Sequence, residues 1–221
     1  MARLTSEQKI EYRTWLEQWH NPAEMLDYSE SIQINMSQDS NGVSKDLFNQ
    51  AGTNFVLEAH AAARFASIRK ASEVRLVSQN KPDFQTKIGG EIESWELTEA
   101  DIRDRKRGDE YRLASELAAN GEPLLEDDPV EDWYERADQI PDILKERSHS
   151  KAQKQYPPNT RLLIYLNVNT SGVRREKIEG MMGDSVSPAK NSFNEVWVLW
   201  GKQAYKLWVD GKETFVRINT P

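Results

Sequence analysis

The chain has 221 residues, 38% of them hydrophobic and 29% charged, with three histidines, no cysteine and a formal net charge of −7. That composition excludes a disordered chain, a disulfide scaffold and a thiolate metal centre, and so few histidines argue against zinc; a metal would need carboxylate, carbonyl or imidazole donors. The negative balance repels polyanions overall, so contact with nucleic acid needs a local basic patch or a bound cation.

No apolar run reaches the roughly 20 residues that span a bilayer. The opening MARLTSEQKIEYRTWLEQWH has no apolar signal-peptide core, so a cytoplasmic protein without membrane contact is expected. TSEQKIEYRTWLEQWH begins with a capping-box pattern at Thr5 or Ser6 and spaces Ile10, Trp15, Leu16 and Trp19 as a helix does. The polar SQDSNG breaks periodicity, and loop or irregular structure is expected from Asn21 to Asn41. An alanine-rich helix should then cover much of Lys45 to Ala71, with an interruption at Gly52.

EVRLVSQ, DFQTKI and EIESWELT read as three strands of an antiparallel meander, with turns at Asn80-Lys81-Pro82 and Gly89-Gly90. Ala100 to Tyr156 is helical in composition, split by NGEPLLEDDPVEDW into helices near Arg103 to Ala119 and Asp132 to Gln155. TRLLIYLNVN is apolar almost throughout, as a mid-sheet strand buried on both faces would be. A short helix within Ser171 to Asn191, a hairpin from EVWVLW and AYKLWVD, and an edge strand from GKETFVRIN complete the chain. The expected class is α/β, a central mixed sheet flanked by helices. An N-terminal helix with an irregular extension occupies residues 1–44, and an elaborated domain occupies 45–221, with a helical insertion around 100–156.

The Gly89-Gly90 turn fixes a register, because a two-residue turn with positive φ at both positions sets Ile88 opposite Glu91. Phe84 then faces Trp95, Asp83 faces Glu96 and Lys81 faces Thr98. Phe84, Trp95 and Leu97 share one face, expected to be core, while Asp83 and Glu96 share the other. Opposed like charges with Cβ atoms about 5 Å apart destabilise a pair. Either water and neighbouring cationic side chains relieve the repulsion at a sheet edge, or a divalent cation does.

Pro82-Asp83, the glycine-turned hairpin and Glu96-Leu97-Thr98 resemble the motif of the PD-(D/E)xK nuclease superfamily, whose restriction-endonuclease-like fold has an αβββαβ core. The segments ELTEADIRDRKRGDEYR and ILKERSHSKAQKQYPPNTRLLIYLNVN are similar to uncharacterised bacterial and phage-associated members. The resemblance covers roughly Phe48 to Val209 and leaves an extra N-terminal helix and additional C-terminal strands around the core. It implies a nuclease that hydrolyses phosphodiester bonds of DNA, or of RNA, with Mg²⁺ or Mn²⁺ held by Asp83, Glu96 and the Leu97 carbonyl. Glu58, from the first core helix, is the matching further acid. The motif lysine is missing, since Thr98 stands in its place. Lys81, opposite Thr98, is one replacement; Lys151 and Lys154, on the helix that packs near this sheet in the superfamily, are rivals.

Two basic clusters could hold a phosphate backbone: Arg105, Lys106 and Arg107 after the acidic motif, and Arg147, Lys151 and Lys154 at i, i+4 and i+7 of the second helix. Each also reads as a solvated helix face, with Asp101, Asp104, Asp109 and Glu110 offsetting the first. His60, without a second histidine at ligand spacing, reads as structural. The alternative to an enzyme is a catalytically degenerate module of the same fold that binds nucleic acid or a protein partner without cleavage. A homodimer is compatible with either.

Overall fold

A computed structural model of the chain describes residues 4–37, 51–78, 81–103, 105, 116, 117, 120 and 130–219. Seven strands form one sheet in sequence order: β1 (Glu73–Leu76), β2 (Phe84–Ile88), β3 (Glu91–Ala100), β4 (Thr160–Leu166), β5 (Glu195–Trp200), β6 (Gln203–Val209) and β7 (Lys212–Asn219). The β3–β4 and β4–β5 pairs are parallel and the rest antiparallel. Parallel neighbours need a crossover, and helices supply both. Helix α4 (Val130–Ala152) links β3 to β4, and α5 (Arg175–Val186) precedes β5. Helices α1 (Ser6–Leu16), α2 (Pro22–Ser37) and α3 (Asn54–Ile68) cover the other face. The result is a mixed sheet between two helical layers, each with its own core.

Strand alternation sorts the side chains between those cores. Phe84, Trp95, Leu97, Leu163, Trp197 and Leu199 pack toward α1–α3, with Phe65 edge-on to Trp95 and Trp197. Leu162, Ile164, Leu166, Val196, Val198 and Tyr205 pack toward α4 and α5. Strand β4 sits fourth of seven and is buried on both faces, as its run of apolar residues requires.

The hairpin register is the expected one, from Phe84 opposite Trp95 to Ile88 opposite Glu91. Gly89 and Gly90 both take positive φ, 59° and 88°, which a residue with a Cβ adopts only under strain. Helix α1 starts at Thr5, whose hydroxyl accepts from Gln8 N–H while the Gln8 side chain accepts from Thr5 N–H.

One expectation fails clearly. Asn21 to Asn41 reads as loop, yet Pro22–Ser37 is a 16-residue helix. Its buried residues Met25, Ser29, Ile32 and Met36 fall on one stripe, so the periodicity is present but a serine occupies one of its places. Pro22 suits the first helical turn, and Asn21 Oδ1 accepts from Ala23 N–H there. Helix α2 packs on α3 within the same core, so the N-terminal segment is built into the fold. The expected helix near Arg103 to Ala119 lies almost wholly outside the described residues, as do residues 38–50. Among the described residues no helix is long and apolar enough to cross a membrane.

Candidate acidic site at the open edge of strand β3

Strand β2 begins at Phe84, opposite Trp95, whereas β3 runs on to Ala100 with only β4 beside it. Backbone groups of alternate β3 residues therefore point at an edge that no strand among the described residues covers. Trp95 still meets β2, through Asp83 N–H donating to its carbonyl at 2.9 Å. Two residues on, Leu97 has side chains instead of a strand for partners. Its N–H donates to Asp83 Oδ2 at 2.7 Å, and its carbonyl accepts from Lys151 Nζ at 2.8 Å.

Lys151 also donates to Glu96 Oε1 at 2.6 Å. One ammonium thus bridges two of the three oxygens expected to ligate a metal. Lys151 can do this because α4 continues its buried stripe, Ala137, Ile140, Leu144 and Ser148, one turn further to position 151. Glu96 is buried, with the Tyr156 hydroxyl as its further polar neighbour. The Tyr156 hydroxyl is buried beside it, and burial, then the Glu96 charge and a hydrogen bond to that carboxylate, hold its phenol well above the usual range.

The remaining acids respond to the same crowding. Burial pushes the Asp83 carboxyl up, the Leu97 N–H pulls it back, Glu96 raises it further, and Lys151 and Lys154 lower it. Glu58, on α3, is raised by burial and then by Asp83, with Glu96 adding to the effect and Arg13 and Lys151 opposing it. It lines a cleft of about 220 Å³ with Asn54, Leu97, Thr98, Glu99 and Tyr165. Three carboxylates therefore crowd one place, and Lys151 is the ammonium bonded to Glu96 there.

The other expected contributors divide. Lys81 is not drawn to the carboxylates: its ammonium donates to the Gln155 carbonyl at 2.6 Å and lies 4.4 Å from the Tyr156 ring centroid. Lys151, carried by α4, is instead the lysine whose ammonium reaches Glu96 and the Leu97 carbonyl. Arg105 lies 3.5 Å from Asp101 and shares a groove with Arg103, Glu146 and Arg147, one helical turn from Lys151. Lys106 and Arg107 lie outside the described residues. His60 is held down to about 4 by burial and by Arg64, so it is neutral at physiological pH. Tyr156 went unremarked in the sequence, where a tyrosine before Pro157-Pro158 carries no signal of burial.

Among the described residues no three Asp, Glu or His side chains gather into a ready-made metal cluster. The donor set is two carboxylates and a carbonyl at the edge of β3. That set fits Mg²⁺ or Mn²⁺, which take one or two carboxylates and fill their remaining positions with water and substrate oxygens. No protein-family model, curated protein or solved structure matches the chain.

Proposed function

We propose that this chain is a metal-dependent phosphodiesterase of the PD-(D/E)xK type acting on nucleic acid, DNA in the first instance, with Lys151 of α4 in the role of the lysine absent at Thr98. The observation that carries the reading is the convergence of Asp83, Glu96, the Leu97 carbonyl and Lys151 just beyond the end of the β2–β3 ladder. The element order from α3 through β4, a helix, three antiparallel strands, a helix and a strand parallel to the third, supports the same reading.

Asp83, Glu96 and the Leu97 carbonyl would hold Mg²⁺ or Mn²⁺, which lowers the pKa of a bound water and offsets charge on the scissile phosphate. The chain's own work is positional and electrostatic. The Leu97 N–H fixes the Asp83 carboxylate, and the open edge of β3 leaves the Leu97 carbonyl facing the site. Lys151 Nζ, within 3 Å of both Glu96 Oε1 and the Leu97 carbonyl, is placed to stabilise negative charge on a phosphate brought to these oxygens. Arg147 on the same helix, Lys154 just past its end, and Arg103 and Arg105 beside it would hold the flanking backbone without reading sequence.

The test is nicking of supercoiled plasmid and of a structured RNA with Mg²⁺ or Mn²⁺. Cleavage should require the metal and fall by about 10²–10³ in Asp83→Asn, Glu96→Gln and Lys151→Met, while Lys81→Ala stays close to wild type. The second reading, a non-cleaving module, is favoured by the way Lys151 already satisfies Glu96 Oε1 and the Leu97 carbonyl. Nucleic-acid binding with no metal-dependent cleavage would establish it and overturn the enzyme.

A further inference from the structure

A carboxylate as buried as that of Glu96, 4% exposed, is costly unless donors reach it. Lys151 supplies one donor, at Oε1. The Tyr156 hydroxyl supplies another, buried against the same carboxylate and hydrogen-bonded to it. The two donors differ in kind. The ammonium carries a charge that repels a metal ion, whereas the phenol is neutral and acts on the carboxylate through direction.

The chain fixes that direction from several sides. Tyr156 precedes Pro157, which biases its backbone to an extended conformation, and Pro157 and Pro158 lock their own φ. Beyond the prolines, Thr160 N–H and Oγ1 both donate to the Pro157 carbonyl, at 3.3 and 2.7 Å, and so tie the segment to the start of β4. On the other side, Ser192 Oγ donates at 3.3 Å to the carbonyl of Ala152, the last residue of α4. The ring packs on Phe193, with 4.7 Å between centroids. It also receives Lys81, whose ammonium lies 4.4 Å from the ring centroid and donates to the Gln155 carbonyl at 2.6 Å. Lys81 stands two residues before Asp83, so one clasp joins the segment that carries the first acid to the side chain that reaches the second.

We infer that Tyr156 is a positioning residue of the proposed metal site, its phenol fixing the rotation of the Glu96 carboxylate and so deciding which lone pairs face a divalent cation. The inference rests on the reading of Asp83, Glu96 and the Leu97 carbonyl as metal ligands. An ionised carboxylate offers about four lone-pair sites, of which the Lys151 ammonium and the Tyr156 phenol take two. The last torsion of a glutamate is broad and twofold, so the side chain by itself does not hold the other two in place. A ring clamped by Phe193, Lys81 and two prolines does. Lys81 thus has a use at this site without touching either carboxylate, and its loss leaves Phe193 and the prolines still holding the ring.

The experiment is calorimetric titration of Mn²⁺ into wild type, Tyr156→Phe and Tyr156→Leu without nucleic acid, followed by plasmid nicking across Mn²⁺ concentration. The phenylalanine keeps the ring against Phe193 and Lys81 and removes only the hydroxyl. Partners that orient metal ligands are worth about ten- to a hundredfold in affinity, so Tyr156→Phe should weaken Mn²⁺ about tenfold, the opposite direction to Lys151→Met. Half-maximal nicking should need about ten times more Mn²⁺, while the rate at saturating Mn²⁺ falls no more than about threefold. A saturated rate that falls as far as the affinity would give the phenol a part in the chemistry and overturn a purely positioning role. Mn²⁺ bound by Tyr156→Phe as tightly as by wild type overturns the inference and leaves the metal site standing. The same holds if only Tyr156→Leu weakens Mn²⁺, because ring packing would then account for the effect. Wild type that binds no Mn²⁺ overturns the inference and the metal site together, and the calorimetry decides these outcomes whether or not the chain cleaves.

Discussion

Two carboxylate groupings sit on the same sheet, and their surroundings differ. At one end, Glu93 and Glu195 are enclosed by Arg69, Arg161 and Lys206, with Arg69 lying over the Phe65, Trp95 and Trp197 rings. Burial pushes Glu195 up, but the Trp197 indole and the three cations outweigh it and hold the carboxyl below its usual range. At the open edge of β3, Lys151 is the one ammonium bonded to the acids among the described residues, Lys154 and Arg13 act on them through charge alone, and Asp83 and Glu58 are raised. Three cations on two acids make a closed structural knot. One directly bonded ammonium among three acids leaves negative potential over, and that potential is what a cation or a phosphate-bound metal can use.

The sharpest way to break this contrast is to neutralise one acid from each grouping. Glu93→Gln should destabilise the fold by about 2–4 kcal/mol in chemical denaturation, because it leaves buried guanidinium groups short of an anion, yet the folded fraction should cleave normally. Glu96→Gln should do the reverse, with little change in unfolding midpoint and cleavage lost. Equal stability losses in both variants would erase the distinction.

Lys151→Met separates the two duties of the ammonium. Without the cation that shares Glu96 Oε1 and the Leu97 carbonyl, the site should bind Mn²⁺ about threefold to tenfold more tightly by calorimetry, while cleavage falls. A loss of both would make Lys151 a structural support.

The smallest effect is in pH. Asp83 and Glu58 have folded-state pKa values above their ordinary ones, so the fold binds their protons more tightly than the unfolded chain does. Their stabilising contribution is complete below the ordinary carboxylate range and is lost as pH rises through the raised values. Asp83→Asn should therefore melt about 2 °C above wild type near pH 8, and the gap should close on acidification. Saturating Mg²⁺ should raise the wild-type melting temperature at pH 8 and leave that of Asp83→Asn unmoved. A gap that widens in acid would contradict the raised carboxyls.

Much of this is legible in the chain itself. The two glycines set the β2–β3 register, and with it Asp83 beside Glu96, because turn geometry is local and side-chain alternation is strict. The apolar run of β4 placed it mid-sheet for the same kind of reason: burial on both faces leaves few polar positions, Thr160 and Arg161 standing at its start. Helix α2 was hidden by a serine in its buried stripe, and Tyr156 by the lack of any periodic pattern around it. Which lysine reaches the acids was not decided by sequence spacing. Lys81 is fifteen residues from Glu96 and turns to Gln155; Lys151 is fifty-five residues away and makes the contact. Periodicity speaks for interactions along one strand or one helix, whereas the meeting of α4 with the uncovered edge of β3 depends on how crossovers pack over the sheet, and only the assembled layers specify that.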